Sequence, residues 1–144
     1  PLLLSSMLFA VSYQGRIAAF EPSSGRTMWY QDASSYVGTD DGFGNIYYVH
    51  ADGSVVALDQ RTGNIRWSNE QLGHRRLSAP AAFNNYLAVA DFKGYVHILS
   101  QIDGEFVGRF KLGSKGVRAP ILARGDTIYL YGNKGKLAAY TLKD

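Results

Sequence analysis

The sequence contains no cysteine. Disulfides, thiolate metal sites and a cysteine nucleophile are therefore excluded within these residues, while the redox compartment stays open. No apolar run approaches the roughly 20 residues of a membrane-spanning helix. The opening Pro-Leu-Leu-Leu is too short for a signal peptide and lacks its basic start and cleavage pattern. Because the chain begins at Pro1 without a methionine, we expect it to be a piece of a longer protein.

Histidine is scarce as well. The three histidines, His50, His74 and His97, show no metal-ligand spacing with each other or with carboxylates, so we expect structural or surface roles for them. Asp40 and Asp41, beside a glycine-rich turn, predict a solvated loop rather than an acid–base pair. These residue types therefore predict neither catalysis nor a bound metal or cofactor.

Hydrophobic residues and glycine are abundant. Of the 144 residues, 46% are hydrophobic and 19% are charged, which is typical of a folded domain. Sixteen glycines and ten tyrosines suit many tight turns and many strands. The net charge of +3 is uneven, because residues 105–144 hold eight Lys and Arg against three Asp and Glu. Two interpretations stay open, a solvated surface or a surface for an acidic partner.

Glycine recurs at a regular period. Gly15, Gly53, Gly94 and Gly135 follow one another at nearly equal intervals along the chain. A period of about 40 residues is the signature of a propeller blade with four short strands. The sequence therefore predicts an all-β propeller of about four antiparallel four-stranded blades, with repeats at residues 1–33, 34–73, 74–114 and 115–144.

Each repeat is interpreted as four strands, A to D. Strand A begins at a proline in three repeats, at Pro1, Pro80 and Pro120, because proline at the first position of a strand costs no ladder hydrogen bond. In the second repeat, strand A is predicted at residues 34–39 and the turn after it at residues 42–45. Strand B is predicted at residues 7–12, 46–50, 86–90 and 127–131.

The repeated glycine predicts the turn between strands B and C. At Gln14-Gly15, Asp52-Gly53, Lys93-Gly94 and Lys134-Gly135, glycine stands where a two-residue hairpin turn requires a positive φ. Strand C follows and is apolar on both faces, as in residues 55–58. Such strands are expected to be covered on both sides, like a blade between two other blades.

Strand D completes a repeat. The turn before it closes on glycine in three repeats, at Gly25, Gly63 and Gly104. Strand D carries Trp29 in the first repeat and Trp67 in the second, at equivalent places. We predict that these tryptophans pack between blades rather than stack on a cofactor. The third repeat has Gly108 at the equivalent place.

The fourth repeat contains strands A, B and C but stops before a strand D. A blade without its outer strand exposes a sheet edge that natural proteins usually cover. Closed propellers take such a strand from the other end of the chain, so we expect the missing strand upstream of Pro1. The chain would then be the C-terminal part of a larger ring, and about half of it if the ring has eight blades.

Residues 53–67 carry the pattern Gly-x-Val-x-Ala-Leu-Asp-x-x-Thr-Gly-x-x-x-Trp, which resembles the repeat of the pyrroloquinoline-quinone-type propellers. Within that superfamily the chain closely resembles the C-terminal half of the BamB family, the lipoprotein subunits of the β-barrel assembly machinery of Gram-negative outer membranes. The resemblance covers essentially the whole chain. It is carried by residues 11–16, 77–80, 94–97, 103–107 and 135–140.

This resemblance implies a scaffold at the periplasmic face of the outer membrane, without catalytic activity or cofactor. It implies binding to the POTRA domains of the barrel-forming subunit BamA, with nascent outer-membrane proteins as further candidate partners. The family is held to the membrane by a lipidated N-terminal cysteine, which would belong to the part of the protein upstream of this chain. The family's usual contact loops lie in earlier blades and match no position here.

The candidate partner contacts are basic residues in loops between blades. His74, Arg75 and Arg76 precede strand A of the third repeat, and Arg118 stands at the matching place in the fourth. Propellers bind partners through such loops, so we predict that these residues contact an acidic patch, with plain surface charge as the alternative. The stripe of basic and exposed aromatic residues that nucleic acid requires is not seen.

Three functional hypotheses remain open from the sequence. The first is a binding scaffold for outer-membrane protein assembly. The second is a fragment of a quinone-dependent dehydrogenase, which would show calcium- and quinone-dependent dye reduction. The third is an unrelated peptide-binding propeller of another compartment. Under the first hypothesis a half-ring has two uncovered blade faces, so two copies of the chain are expected to pair as a dimer.

Overall fold

The structure is a computed structural model of the 144-residue chain. It describes residues 2–4, 7–11, 15–33, 38–112, 121–132, 135 and 137–142. Within these residues, fifteen β-strands form four antiparallel sheets that follow one another along the chain. The predicted all-β architecture of four sheets is confirmed. Pro1, Pro120 and Arg118, which the sequence singles out, lie outside the described residues.

Each sheet is a meander in which strands pair with their neighbours in the chain. Sheet 1 consists of β1 (Leu2–Leu4), β2 (Met7–Val11), β3 (Arg16–Phe20) and β4 (Thr27–Asp32). Sheet 2 consists of β5 (Asp40–Gly42), β6 (Asn45–Val49), β7 (Val55–Asp59) and β8 (Ile65–Asn69). Sheet 3 consists of β9 (Ala81–Phe83), β10 (Tyr86–Ala90), β11 (Tyr95–Ser100) and β12 (Phe106–Lys111). Sheet 4 consists, in the described part, of β13 (Leu122–Arg124), β14 (Thr127–Tyr131) and β15 (Leu137–Thr141).

The hairpin turns after β6 and β10 differ from the prediction. The backbone N–H of His50 donates to the carbonyl of Ser54 (2.8 Å), and the N–H of Gly53 donates to the carbonyl of His50 (2.9 Å). Three residues, not two, therefore form the loop, and Gly53 alone among them has a positive φ. Asp91 and Gly94 repeat this arrangement in sheet 3. The prediction of a two-residue turn is wrong, because a glycine signals a left-handed residue but not the number of residues before it.

The first strand of sheet 2 also lies at a different position from the predicted one. β5 covers Asp40–Gly42 and so begins just after the predicted range of 34–39; residues 38 and 39 are not in the strand, and 34–37 lie outside the described residues. The two-residue turn after it is Phe43-Gly44, so the predicted turn is too long at both ends. Asp40 and Asp41 are therefore half-buried strand residues and not a solvated loop, and β6 ends at Val49 rather than at residue 50.

The position of β5 is explained by a side-chain hydrogen bond between the first strands of sheets 2 and 3. Oδ2 of Asp40 accepts a hydrogen bond from the backbone N–H of Ala82 in β9 (2.7 Å), so an acidic side chain joins sheet 2 to sheet 3. Burial raises the pKa of the neighbouring Asp41, and the charge of Asp40 raises it further. Strand propensity favours apolar and aromatic residues, so a strand with two adjacent aspartates is not predictable from it.

The core consists of three apolar layers, each between two neighbouring sheets. Between sheets 1 and 2 lie Phe9, Ile17, Ala19, Trp29, Ile46, Tyr48, Val56 and Leu58. Between sheets 2 and 3 lie Tyr47, Val49, Val55, Ala57, Trp67, Leu87, Val89 and Leu99. Between sheets 3 and 4 lie Ala81, Phe83, Ala88, Ala90, Val96, Ile98, Ile128 and Leu130. Alternate residues of β7 thus belong to two different layers, which confirms that this strand is covered on both faces.

Each tryptophan attaches the outer strand of one sheet to the next sheet. Nε1 of Trp67 donates to the backbone carbonyl of Gln101 (2.9 Å), in the turn between β11 and β12. Its ring lies against Gly104, where a β-carbon would come within 2.6 Å of Cδ2. Trp29 makes the equivalent bond to the carbonyl of Gln60 in sheet 2 (2.8 Å). The predicted packing role of both tryptophans is confirmed, and these contacts hold the sheets in a defined relative position.

Candidate partner-binding loop

The predicted basic cluster lies in the loop of residues 70–80, which connects β8 to β9. The backbone of sheet 3 holds this loop at two points. The N–H of Phe92 donates to the carbonyl of Arg75 (3.1 Å), and the N–H of Ser78 donates to the carbonyl of Ala90 (2.8 Å). Oγ of Ser78 accepts a further hydrogen bond from the N–H of Ala90 (3.0 Å). The loop is therefore fixed to sheet 3 largely through backbone groups.

Sheet 2 holds the same loop from the other side. A β-carbon on Gly53 would lie 2.8 Å from Cα of Gly73 and 2.9 Å from the carbonyl oxygen of Leu72, so only glycine allows this approach. The φ of Gly53 is 94°, which a residue with a side chain rarely adopts. Gly53, one of the periodic glycines of the sequence, therefore has a second structural role, because it allows the 70–80 loop to pack against the β6–β7 hairpin.

His74 and Arg76 have strained backbones. Their φ angles are 64° and 51°, in the left-handed region that non-glycine residues enter at a cost. Both side chains are exposed. Residues held in this region tend to lie where the surrounding structure fixes them, often at binding sites. The structure thus brings together two of the four predicted contact residues on one exposed turn.

Arg75, between them, has a different environment. Its Nη1 lies 3.2 Å from Oδ2 of Asp91, and Nε2 of His97 lies 2.9 Å from the same oxygen. The side chains of Asp91 and His97 are almost wholly buried. The other carboxylate oxygen of Asp91 accepts hydrogen bonds from the backbone N–H groups of Lys93 (2.9 Å) and Tyr95 (3.0 Å). Arg75 therefore ties the 70–80 loop to a buried polar cluster of Arg75, Asp91 and His97.

Burial and hydrogen bonding set the charges of this cluster. Burial alone would raise the pKa of Asp91, but the bonds from His97, Tyr95, Lys93 and Arg75 outweigh it and hold that pKa below its ordinary value. Burial lowers the pKa of His97, and its bond to Asp91 opposes this only in part. At neutral pH the cluster therefore contains a carboxylate, a neutral imidazole and a guanidinium. The sequence does not predict this cluster, because its members come from a loop, a turn and a strand that no local motif joins.

The exposed side of the loop borders a groove of about 480 Å³. Its walls are formed by Val49, His50, Ala51, Gly53, His74, Arg76 and Leu77. Asp52 lies beside it, and hydrogen bonds from Ser54 lower the pKa of its carboxyl group, with a smaller contribution from His50. We call this surface the loop groove. Its charged and ring-nitrogen side chains are two imidazoles and one guanidinium, and the guanidinium can pair with a carboxylate.

Neither a metal site nor a membrane-spanning helix is found among the described residues. Among them, no group of three or more His, Cys, Asp and Glu side chains is placed to hold a metal ion. The helix search over the same residues finds no segment with the length and apolar content to cross a membrane. His97 is buried, while His50 and His74 both lie on the loop groove.

The chain is similar to proteins of one family over its full length. The family profile described as outer membrane protein assembly factor BamB matches residues 1–69 and 51–144. A relative with the same name from Pseudomonas aeruginosa is 52% identical over 142 residues. That match covers 99% of this chain and 37% of the relative, so the chain spans little more than a third of the relative's length.

Solved structures agree on the fold. The crystal structure of BamB from Moraxella catarrhalis superposes with a TM-score of 0.90 at 28% identity, covering 99% of this chain and 42% of that protein. The quinohemoprotein alcohol dehydrogenase from Comamonas testosteroni superposes with a TM-score of 0.67 at 18% identity, over 77% of this chain and 20% of the enzyme. This second likeness shows a shared propeller fold and nothing about activity.

Proposed function

The chain belongs to the BamB family of outer membrane protein assembly factors, and from this premise we propose that it forms part of a non-catalytic scaffold. In this proposal the whole protein assists the assembly and insertion of β-barrel proteins into the Gram-negative outer membrane. It would act at the periplasmic face of that membrane, held there by a lipid anchor outside this chain. Its partners would be the POTRA domains of BamA and nascent outer-membrane proteins.

The observation that carries this proposal is the family match along the whole chain, at 52% identity to the Pseudomonas aeruginosa relative. The geometry is consistent with a scaffold. Tryptophans of two outer strands are hydrogen-bonded to the following sheets, so the loops between sheets have a rigid support. Rigid loops reduce the ordering cost of binding a partner.

The contact surface that we propose within this chain is the loop groove. His74 and Arg76 are exposed, strained and carried by a loop that sheets 2 and 3 both hold. Arg118 stays a prediction of the sequence. Arg75 also stays a prediction, but a positioning role is favoured, since its guanidinium is bonded to the buried Asp91 and Arg75 does not line the loop groove.

A binding titration tests the proposal. The purified POTRA domains of BamA are titrated against the natural full-length protein, against its Arg76→Glu variant and against residues 1–144 alone. A matched control is Arg61→Glu, an exposed arginine in the β7–β8 turn, at the other end of β7 from Gly53. Saturable binding that weakens about tenfold in Arg76→Glu and not in Arg61→Glu is expected, since a lost charge-assisted contact is worth that much.

The outcomes separate the possible locations of the contacts. Binding by both the full protein and residues 1–144 would support a contact surface in these sheets. Binding by the full protein alone, unaffected by Arg76→Glu, would overturn the loop-groove assignment and leave this part as structural support. Absence of binding by either protein would overturn the proposed partner.

The dehydrogenase hypothesis is not favoured. The relatives carry the name of an assembly factor, and the likeness to a quinohemoprotein enzyme is one of fold. We therefore propose that the protein has no enzymatic activity. Quinone- and calcium-dependent dye reduction by the full-length protein would contradict this.

We also propose that residues 1–144, produced alone, pair with a second copy. The outward faces of sheets 1 and 4 carry exposed apolar side chains, including Leu3, Tyr30, Leu122, Tyr131 and Leu137. Such patches promote association when nothing covers them. A two-fold pair would bury one end face of each copy against the other copy.

A further inference from the structure

A second groove lies at the open edge of sheet 3, between residues 71–75 and the edge strand β12. Its volume is about 390 Å³. It is lined by Gln71, Leu72, Arg75, His97, Phe106, Val107, Gly108 and Arg109. We call it the rim groove. It shares the 70–80 loop with the loop groove but none of its lining residues, because Arg75 points to one side of the loop and Arg76 borders the other groove.

The charges that line the rim groove are positive. Its lining contains two arginines and no carboxylate. Arg109 has no ion-pair partner among the described residues, and its guanidinium lies over the ring of Tyr95, 4.9 Å from the centroid. Nζ of Lys111 lies 5.1 Å from the same centroid. The carboxylate of Asp91 lies beneath this surface, fully buried and already bonded to His97 and Arg75, so the accessible charge is cationic.

The rest of the lining is apolar and aromatic. Phe106 is 39% exposed and Val107 is 50% exposed, although apolar side chains of this size usually gain from burial. The rings of Tyr95, His97 and Phe106 follow one another at centroid distances of 6.4 and 6.2 Å. The groove therefore offers apolar contact area directly beside cationic groups.

The edge of this groove is an open strand. In the described part of the chain, β12 pairs with β11 on one side only. The third residue of β4 and of β8 is a buried tryptophan, whereas the third residue of β12 is Gly108. Gly108 pairs with Ile98 in the same register in which Trp67 pairs with Ala57. A β-carbon on Gly108 would meet no atom within 4 Å. Five of the six residues of β12 are exposed.

We infer that the rim groove binds an extended segment of a partner protein in which acidic side chains alternate with apolar ones. The carboxylates would be paired by Arg109 and by the exposed side of Arg75, and the apolar side chains would cover Phe106 and Val107. An extended segment is the shape that a groove beside an open strand edge accepts. This inference does not depend on the proposed function, because the residues that line the rim groove are separate from those that line the loop groove.

The test uses the natural full-length protein and a short fluorescein-labelled peptide in which Asp and Leu alternate. Fluorescence anisotropy should show saturable binding. Arg109→Glu should weaken it about tenfold or more, because it removes one charge-assisted contact and adds a repulsion. Arg61→Glu, an exposed arginine at the β7–β8 turn, is the matched control and should leave the affinity unchanged. Arg109 is exposed on an edge strand, so the variant should fold normally, which circular dichroism verifies.

Exchanging the charges makes the test specific. A peptide in which Lys replaces Asp should bind the wild-type protein poorly. The Arg109→Glu variant should bind this Lys peptide more tightly than it binds the Asp peptide. A peptide with Ser in place of Leu should lose binding, as should Val107→Ser with the original peptide. Equal affinity of wild type and Arg109→Glu, or binding of a polyaspartate or single-stranded oligonucleotide as tightly as the Asp–Leu peptide, would overturn the inference. If the POTRA titration fails and the Asp–Leu peptide still binds, the proposed partner is overturned while the rim-groove inference stands.

Discussion

Two glycines with nearly the same backbone conformation have different surroundings. Gly104 and Gly25 both end the turn before an outer strand, with φ angles of 76° and 72°. A β-carbon on Gly104 would come within 2.6 Å of Cδ2 of Trp67, whereas one on Gly25 would meet no atom within 4 Å. We predict that Gly25→Ala lowers the free energy of unfolding by about 1 kcal/mol through backbone strain alone. Gly104→Ala should lower it by about 2–4 kcal/mol, because overpacking adds to the strain.

Urea denaturation of the two variants, at unchanged slope, measures this difference. Since both turns have the same hydrogen bond, from the glycine N–H to the carbonyl four residues earlier, Gly25→Ala is a close control for the backbone contribution. Equal losses in the two variants would show that the indole ring of Trp67 moves aside without cost, and the tight ring–glycine contact would then contribute nothing to docking.

The buried cluster of Arg75, Asp91 and His97 makes stability depend on pH. Burial lowers the pKa of His97, and hydrogen bonds hold the pKa of Asp91 below its ordinary value despite burial. For both groups the unfolded chain binds more protons than the folded chain as the pH falls. Stability that is full above the ordinary histidine pKa, about 6.5, is therefore lost as the pH falls through the lower pKa of folded His97. Asp91 adds a further loss below about pH 4.

We predict that His97→Gln flattens this dependence between about pH 7.5 and pH 5.5, where histidine is the group that titrates. The variant should be less stable than wild type at the upper pH, because glutamine fills the ring's site poorly, and should lose less on acidification. Urea midpoints of both proteins at the two pH values are the measurement. A variant that loses as much stability as wild type over this interval would show that His97 is not the responsible group.

The same cluster shows the limit of prediction for single residues. Residues 74–76 are three adjacent basic residues, and the sequence treats them alike. The structure separates them, because Arg75 bonds to Asp91 while His74 and Arg76 adopt a positive φ and stay exposed. Which way a loop side chain points depends on a carboxylate in the following β-hairpin, and a pattern of neighbouring residues does not contain that information.

Between elements, the tryptophan bonds hold each outer strand to the next sheet, and this can be tested locally. Trp67→Phe keeps most of the apolar area but removes the N–H that donates to Gln101. We predict a loss of about 1–2 kcal/mol in the free energy of unfolding. Hydrogen exchange should become faster in the turn of residues 101–104 and stay unchanged in the turn of residues 60–63.

The second tryptophan is the matched control for this prediction. Trp29→Phe removes the bond to Gln60 instead, so exchange should become faster in the turn of residues 60–63 and not in that of residues 101–104. A uniform increase in exchange over both turns would contradict local docking and would indicate that each bond only supports the global stability of the domain.

The elements that the sequence predicts well are those with a local signal. Strands β10 and β14 begin and end at the predicted residues, because apolar β-prone runs there are bounded by turn residues on both sides. The sequence misplaces β5, since the pairing of this strand is supported by Asp40 bonding to Ala82 of another sheet. The predicted loop length at Gly53 is wrong for a different reason, because the closing bond joins His50 and Ser54 and a glycine does not signal how many residues that bond encloses.

Across the whole molecule, the sheets at the two ends differ from those in the middle. In β7 and β11 consecutive side chains are buried on both faces, whereas β15 buries neither face fully and leaves Leu137 70% exposed. Leu122 and Tyr131 are exposed beside it, at 65% and 51%. An apolar face of this kind suits another sheet packed against it, as happens at each of the three internal layers.

We predict that this exposed face makes residues 1–144, produced alone, associate in pairs. Light scattering at rising concentration should show a monomer–dimer equilibrium, and Leu137→Glu should shift it to monomer by placing a charge in the buried patch. Ile65→Glu is the control, because Ile65 is also exposed, at 57%, but lies on the outer strand β8 of an internal sheet. If Ile65→Glu also abolished pairing, the association would be non-specific.

A strict monomer at high concentration would contradict the pairing outright. The full-length protein adds an independent check. If another sheet covers Leu137 there, the same substitution should affect stability instead of association. Leu137→Glu would then lower the free energy of unfolding by placing a charge inside an apolar layer, while the oligomeric state stayed unchanged. If Leu137→Glu abolishes pairing of residues 1–144 and also destabilises the full-length protein, this face is the one against which a neighbouring blade packs.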